Sequence, residues 1–257
     1  MTLNDRQEQI IDELRTTGKV DVETLVTRFG VTAQTIRRDL GELCARGLAS
    51  RVHGGAKRFF STSSIRYEER RASNNAEKEK IGQIAASLIP DDCSVILNIG
   101  TTTEQVAHAL TAHRGLMVIS NNMNVIHILR DVALKELVIV GGGVRQSDGA
   151  VIGDEAVEFI SRYKVDYAVI GASSIDVDGS ILDFDCREVA VSRAILRNAR
   201  TRILVADHTK FERSAPVRIC DVSELDYVVF DSPPPDAFLE RANSGGTQIL
   251  TKSVTDE

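Results

Sequence analysis

No apolar run in this 257-residue chain approaches the roughly 18 consecutive residues that a membrane-spanning helix requires. Cysteine is sparse: Cys44, Cys93, Cys186 and Cys220 are widely scattered, with no C-x-x-C pair. That argues against a zinc site or a disulfide framework and suits a reducing cytoplasm. Residues 1–9 are polar and carry no secretory pattern, so the chain is expected to work in the cytoplasm. An excess of positive charge is also missing. The net charge of −6 does not by itself suggest a nucleic-acid partner. With 42% hydrophobic and 26% charged residues, what remains is an ordinary globular composition, enough for a small domain plus a medium one.

The charge is unevenly spread. Residues 1–60 hold ten Lys/Arg against eight Asp/Glu, net +2, which leaves the rest of the chain at −8. Within 32–58, Arg37, Arg38, Arg46, Arg51, Lys57 and Arg58 face only Asp39 and Glu42. A basic segment on an acidic body is how a nucleic-acid site hides behind a low pI, although a solvated charged face has the same composition.

Periodicity separates the two. Residues 5–16 place Ile10, Ile11 and Leu14 on one stripe, with Gly18 as the stop. Asp21 is the expected N-cap of a second helix carrying Val22, Leu25, Val26 and Phe29 and closed by Gly30. Thr32 caps a third, residues 33–46, and the tight connection through Gly30 and Val31 is the turn of a helix-turn-helix. On the third helix Ile36, Leu40 and Leu43 share one face, while Gln34, Arg38, Gly41 and Ala45 lie opposite, flanked by Thr35 and Arg37. Arg binds guanine through two bonds, Gln pairs with adenine, and the small residues let the face approach a groove. After Gly47, residues 48–58 read as two strands around His53-Gly54-Gly55, a wing made basic by Arg51, His53, Lys57 and Arg58. The candidate DNA contacts are Thr32, Gln34, Thr35, Arg37, Arg38, Arg51, His53 and Lys57.

The DNA-binding domain is expected to span 1–57 and a polar linker 58–74, with Ser61-Thr62-Ser63-Ser64 at its centre. From residue 75 onward, apolar runs at 95–99, 117–120, 137–140, 167–170, 203–206 and 227–230 alternate with helical patterns at 76–89, 104–113, 123–130, 154–162 and 186–198. Short apolar strands separated by helices imply a mainly parallel α/β sheet covered on both faces, and its ligands sit beyond the carboxyl ends of the strands. There the chain places Gly100, Thr101, Thr102 and Thr103; Asn121 and Asn122; Gly141 and Gly142 with Arg145; and Asp207 with Lys210. N–H groups and hydroxyls at a helix start suit a phosphate, Arg145 and Lys210 supply cations, and amides or carboxylates are left for hydroxyls. Taken singly, each of these also reads as a helix cap, a turn or a solvated lysine. Their convergence on one sheet edge is the expectation.

The string Val31-Thr32-Ala33-Gln34-Thr35-Ile36-Arg37-Arg38-Asp39-Leu40, followed by Arg51-Val52-His53-Gly54-Gly55-Ala56, resembles the DNA-binding region of the DeoR family of bacterial sugar-metabolism repressors. The likeness continues through Ile99-Gly100-Thr101-Thr102, Asn121-Asn122-Met123-Asn124-Val125, Gly179-Ser180-Ile181-Leu182-Asp183-Phe184-Asp185 and Asp207-His208-Thr209-Lys210-Phe211. It implies a homo-oligomeric repressor of double-stranded operator DNA, a winged helix-turn-helix followed by a sensor with the ribose-5-phosphate isomerase fold. The implied effector is glycerol 3-phosphate or a related sugar phosphate. Two positions depart: Cys186 stands where an aromatic residue is expected, and Ser192 where the family often has Lys.

The rival class is a sugar-phosphate isomerase, whose chemistry needs a general acid and base beside the sugar. The related isomerases carry an acidic run where this chain has Ile170, Ser173 and Ser174. Asp176, Asp178, Asp183 and Glu188 lie nearby and are expected to be solvated loop carboxylates, so catalysis and cofactors are not expected. A third class, a DNA-binding protein whose large domain only assembles, fits poorly with loops suited to phosphate.

Overall fold

The structure, a computed structural model, describes residues 3–17, 19–45, 48–52, 54–58 and 67–251. The chain divides into two compact units, Met1–Thr62 and Ser63–Glu257.

The first unit holds α1 (Asp5–Thr17), β1 (Lys19–Asp21), α2 (Val22–Phe29), α3 (Ala33–Ala45), β2 (Ala49–Val52) and β3 (Gly55–Arg58). Ile10, Leu14, Leu25, Ile36, Leu40 and Leu43 bury together, which is the face that the 3.6-residue period selects. Gly30 adopts φ +63° and donates its N–H to the Val26 carbonyl at 2.9 Å, so the chain reverses where only glycine does so without strain. Thr32 caps α3, its Oγ1 accepting from the Thr35 N–H at 3.2 Å. Asp21 occupies the N-cap of α2 but makes no side-chain cap bond; its carboxylate lies 3.3 Å from Lys19 instead. The wing gains a strand that periodicity did not reveal, because three-residue β1 is too short to show an alternation; the antiparallel order is β1-β3-β2. Gly18, Arg46 and His53, read as helix ends and wing tip, lie outside the described residues, as do the Ser/Thr residues at 61–64.

The second unit is built on a seven-stranded parallel sheet of order β15-β14-β12-β9-β4-β5-β6. Its strands are β4 (Ser94–Leu97), β5 (Met117–Ser120), β6 (Glu136–Ile139), β9 (Val165–Ile170), β12 (Ala199–Val205), β14 (Tyr227–Val229) and β15 (Gln248–Leu250). Successive side chains go to opposite faces. Val95, Leu97, Val118, Val169, Ile203 and Val205 pack with α5 (Asn75–Ser87), α6 (Thr101–Leu110) and α7 (Met123–Leu129). Ile96, Ile119, Ala168, Ile170 and Leu204 pack with α8 (Asp154–Ile160), α9 (Cys186–Arg197) and α10 (Asp236–Gly245). Both faces are therefore dry, and the six expected strands are the six that run from β14 to β6.

Three features were not read from the sequence. Helix α4 (Tyr67–Ala72) lies within 58–74, the stretch read as linker. A small antiparallel sheet joins β10 (Ser174–Ile175), β11 (Ser180–Asp183) and β13 (Val217–Asp221). A hairpin of β7 (Val144–Arg145) and β8 (Ala150–Val151) follows β6. Among the described residues no helix is long and apolar enough to cross a membrane.

Candidate effector cavity and nucleic-acid face

A cavity opens at the carboxyl ends of four adjacent strands, β12, β9, β4 and β5, where the sheet order brings their loops together. Its lining includes Gly100, Thr101 and Thr102 after β4, Asn122 after β5, and Lys210 after β12. Five of the eleven expected effector residues thus meet in one place. Gly100 takes φ +137° at the N-cap of α6, and the Thr103 hydroxyl donates to the Asn98 and Gly100 carbonyls at 2.8 and 2.7 Å. Thr103 therefore braces the loop and does not line the cavity.

The other expected residues serve around it. Asn121 is buried and ties the hairpin, donating to the Val151 carbonyl at 3.1 Å. Gly141 and Gly142 follow edge strand β6, one strand too far out to reach the cavity. A Cβ on Gly142 would sit 2.9 Å from Val151 Cγ1 with φ at +140°, so this glycine serves the hairpin's close packing. Arg145 is not a cavity residue either. Its guanidinium pairs with Asp148 at 2.5 Å and with Glu188, so it joins the hairpin to α9 and its charge is consumed. Asp207 caps the 3-10 helix His208–Glu212 by accepting from the Thr209 N–H at 3.1 Å and does not line the cavity.

Sequence reasoning missed several lining residues. Tyr67 and Arg70 come from α4; Asn98 ends β4; Gly171, Ala172 and Ser173 follow β9; Asp183, Glu188 and Ser192 come from β11 and α9. Asp183 and Glu188 are not solvated loop carboxylates: both line the cavity, whereas Asp176 and Asp178 are exposed as expected. Asp183 is carried there by β11 of the antiparallel sheet and Glu188 by α9, and neither placement shows in the local sequence. Ser173 donates to Asp183 Oδ1 at 2.9 Å, while Ile170 and Ser174 sit in the core. Of the two positions that depart from the family pattern, Ser192 lines the cavity and Cys186 is exposed away from it.

The electrostatics are lopsided. Lys210 is 7% exposed, and its ammonium has no hydrogen-bond or ion-pair partner among the described residues. Burial, with Arg213, Arg70 and Lys78 nearby and Asp207 opposing, brings it down to about 7. Arg70 Nε is buried without a partner among the described residues. Lys78, by contrast, is spent on the Arg70 and Ser73 carbonyls, which anchors the end of α4. Tyr67 donates to Glu104 Oε2 at 2.8 Å, and Asn122 and Asn124 donate to Glu104 Oε1, so that carboxylate is saturated. Burial and Asp183 push Glu188 up to about 7 against the pull of Arg145. Unpaired donors thus gather around Lys210, Arg70 and the start of α6, where an anion is favoured.

In the first unit, Gln34, Arg37 and Arg38 are exposed on α3, Thr32 is exposed at its start, Thr35 is half-buried and Arg51 is exposed on the wing. A Cβ on Gly41 would meet nothing within 4 Å, so the face is open there. Asp39 points away from it: its carboxylate is buried and bound by Arg6 Nε at 2.6 Å, which fastens α3 to α1. Lys57 lies in β3 opposite Ser50 and Lys19; its side chain, like His53, is outside the described residues.

The DeoR-like helix-turn-helix domain matches residues 6–62 and the DeoR C terminal sensor domain residues 73–232. The chain is 40% identical over 240 residues to the glycerol-3-phosphate regulon repressor of Escherichia coli K12, covering 93% of this chain and 95% of that protein. It is 39% identical over 245 residues to the glycerol-3-phosphate regulon repressor of Haemophilus influenzae, covering 95% of each. Among solved structures it resembles ribose 5-phosphate isomerase A of Methanocaldococcus jannaschii at a TM-score of 0.40, with 16% identity over 54% of this chain and 55% of that one. With both domains matched in order, the chain belongs to the DeoR family and is a transcriptional repressor rather than an isomerase.

Proposed function

We propose that the cavity binds the phosphate of a small phosphorylated polyol or sugar, glycerol 3-phosphate foremost, and that binding releases operator DNA held by α3 and the wing of a homo-oligomer. The observation that carries this reading is Lys210, buried and unpartnered beside the unpartnered Arg70 Nε and the start of α6. A phosphate there satisfies donors that otherwise bear the cost of desolvation. The name of the effector rests on the two glycerol-3-phosphate regulon repressors that the chain is similar to. The direct test is operator DNA bound to the full chain and titrated with a panel of three- to six-carbon phosphate esters. Release by glycerol 3-phosphate below millimolar levels is expected; release by another ester alone sinks the effector, and release by none sinks the reading.

The same site makes binding pH-dependent. Lys210 sits at about 7 in the free protein, and a phosphate beside it favours the ammonium, so binding draws in a proton. Affinity is expected to fall as pH rises above 7, by at most ~10-fold per unit for this one proton. Glu188, also at about 7, gains its negative charge over the same interval and acts in the same direction. Calorimetry in two buffers of different ionisation enthalpy reads the proton directly. Identical apparent enthalpies would remove Lys210 from the phosphate.

A further inference from the structure

Asn98 is 2% exposed and lines the cavity, yet its Oδ1 has no hydrogen-bond partner among the described residues. The orientation of this amide is fixed by its neighbour. Ser192 has one hydroxyl hydrogen, and it donates that to the Glu188 carbonyl at 3.1 Å. Toward Asn98 the Ser192 oxygen is therefore an acceptor, and it takes the Asn98 Nδ2–H at 2.8 Å. Turning the amide over would require Ser192 to give up its bond to the Glu188 carbonyl and donate to Asn98 instead; with that bond kept, Oδ1 is the unmatched group. The backbone of Asn98 is equally fixed: its N–H donates to the Val169 carbonyl at 2.9 Å and its own carbonyl accepts from Thr103. A buried acceptor without a donor is costly to leave unmade and marks where a ligand group belongs.

Asp183 adds a second acceptor, half-buried rather than fully buried. Its Oδ1 accepts from Ser173 and from the Phe184 N–H, while Oδ2 has no partner among the described residues. The cavity thus offers unmatched donors at Lys210 and Arg70 and unmatched acceptors at Asn98 and Asp183. A phosphate satisfies the first set. The second needs a ligand group that donates, and it repels one that is itself an anion.

We propose that Asn98, oriented by Ser192, is a specificity-determining residue that accepts a hydrogen bond from a hydroxyl of the bound ligand, restricting the effector class to phosphate esters of neutral hydroxylated molecules. This rests on the phosphate reading of the cavity above. Phosphate esters that carry a carboxylate at the other end are disfavoured, because the unmatched groups there, Asn98 Oδ1 and Asp183 Oδ2, are acceptors.

The test titrates the full chain with inorganic phosphate, glycerol 3-phosphate and 3-phosphoglycerate, the last two matched in length and differing in a hydroxyl against a carboxylate. Wild type is expected to bind glycerol 3-phosphate at least ~10-fold tighter than either of the others. Asn98→Leu, which keeps the branching at Cγ and lacks the acceptor, should reduce the glycerol 3-phosphate to inorganic phosphate affinity ratio by ~10-fold. Ser192→Ala, which frees the amide to turn and leaves the packing nearly intact, should reduce it by a few-fold. An unchanged ratio in both variants, or equal wild-type affinities for glycerol 3-phosphate and 3-phosphoglycerate, overturns the proposal. Lys210→Met separates the two readings. If it loses inorganic phosphate while the ratio ignores Asn98, only the Asn98 assignment falls; if it keeps phosphate, the phosphate reading falls with it.

Discussion

Lys210→Met is expected to give a repressor that holds its operator as tightly as the wild type and is not released by glycerol 3-phosphate. Methionine keeps most of the volume of the lysine stem and removes the charge. The fold should not suffer, because the ammonium is buried, has no partner among the described residues and is opposed by Arg213, Arg70 and Lys78. Loss of one charge-assisted hydrogen bond costs ~1.5–3 kcal/mol. The half-release concentration should therefore rise ~10–100-fold, which in a cell is permanent repression. Release also requires that the ligand prefer the arrangement that does not bind DNA, with a coupling of ~1–3 kcal/mol. A weaker ligand leaves that equilibrium on the DNA-bound side. Thr101→Val, isosteric and without the hydroxyl, should shift release in the same direction by less. Operator anisotropy against ligand concentration reads all three proteins. Identical half-release for wild type and Lys210→Met would take the lysine out of the effector site.

The second large effect lies on α3. Arg38 is 82% exposed, and its Nε is 3.3 Å from Glu42 one turn away. An exposed i,i+4 pair is worth only ~0.3–0.5 kcal/mol, so it yields readily to a base edge. Glu42 does not follow the arginine toward DNA, because Gln7 Nε2 holds its other oxygen at 2.8 Å. Arg38→Ala should weaken operator binding by ~1–3 kcal/mol, the worth of a bidentate guanine contact, and barely alter binding to a scrambled duplex. Arg51→Ala on the wing should weaken both duplexes alike and reduce the salt slope by ~1. Equal losses on operator and scrambled DNA in Arg38→Ala would place that residue on the phosphates instead of the bases.

The first unit was largely legible because its signals are local. Helical period, the glycine at position 30 and the Thr32 cap act within one or two turns, and the face bearing Gln34 and Arg38 follows from arithmetic on 3.6 residues per turn. The tie between Asp39 and Arg6 was not legible, since 33 residues separate the partners. In the second unit the strands were legible as apolar runs, but their lateral order was not. The loop at 141–143 was read as part of the site and the loop at 171–173 was not, because nothing local says that β9 lies between β12 and β4 while β6 lies at the edge. Helix α4 was hidden for another reason: six residues rich in Glu and Arg carry no apolar stripe of their own. Asn98 escaped notice because it lies inside the apolar run 95–99 and reads as part of the strand. Its meaning depends on Ser192, 94 residues away.

The cavity is lined mostly by residues that follow the last paired positions of β4, β5, β9 and β12, while the apolar residues that hold the sheet lie within the strands. Taste and scaffold are thereby uncoupled. Exchanging Asn98, Ser173 or Ser192 removes no rung of the ladder and opens no gap in the two apolar layers, so most of its energetic effect falls on the guest. An architecture of this kind lets a lineage change the metabolite it answers to in single steps, each survivable by the host fold, while the DNA-reading unit 1–62 stays as it was.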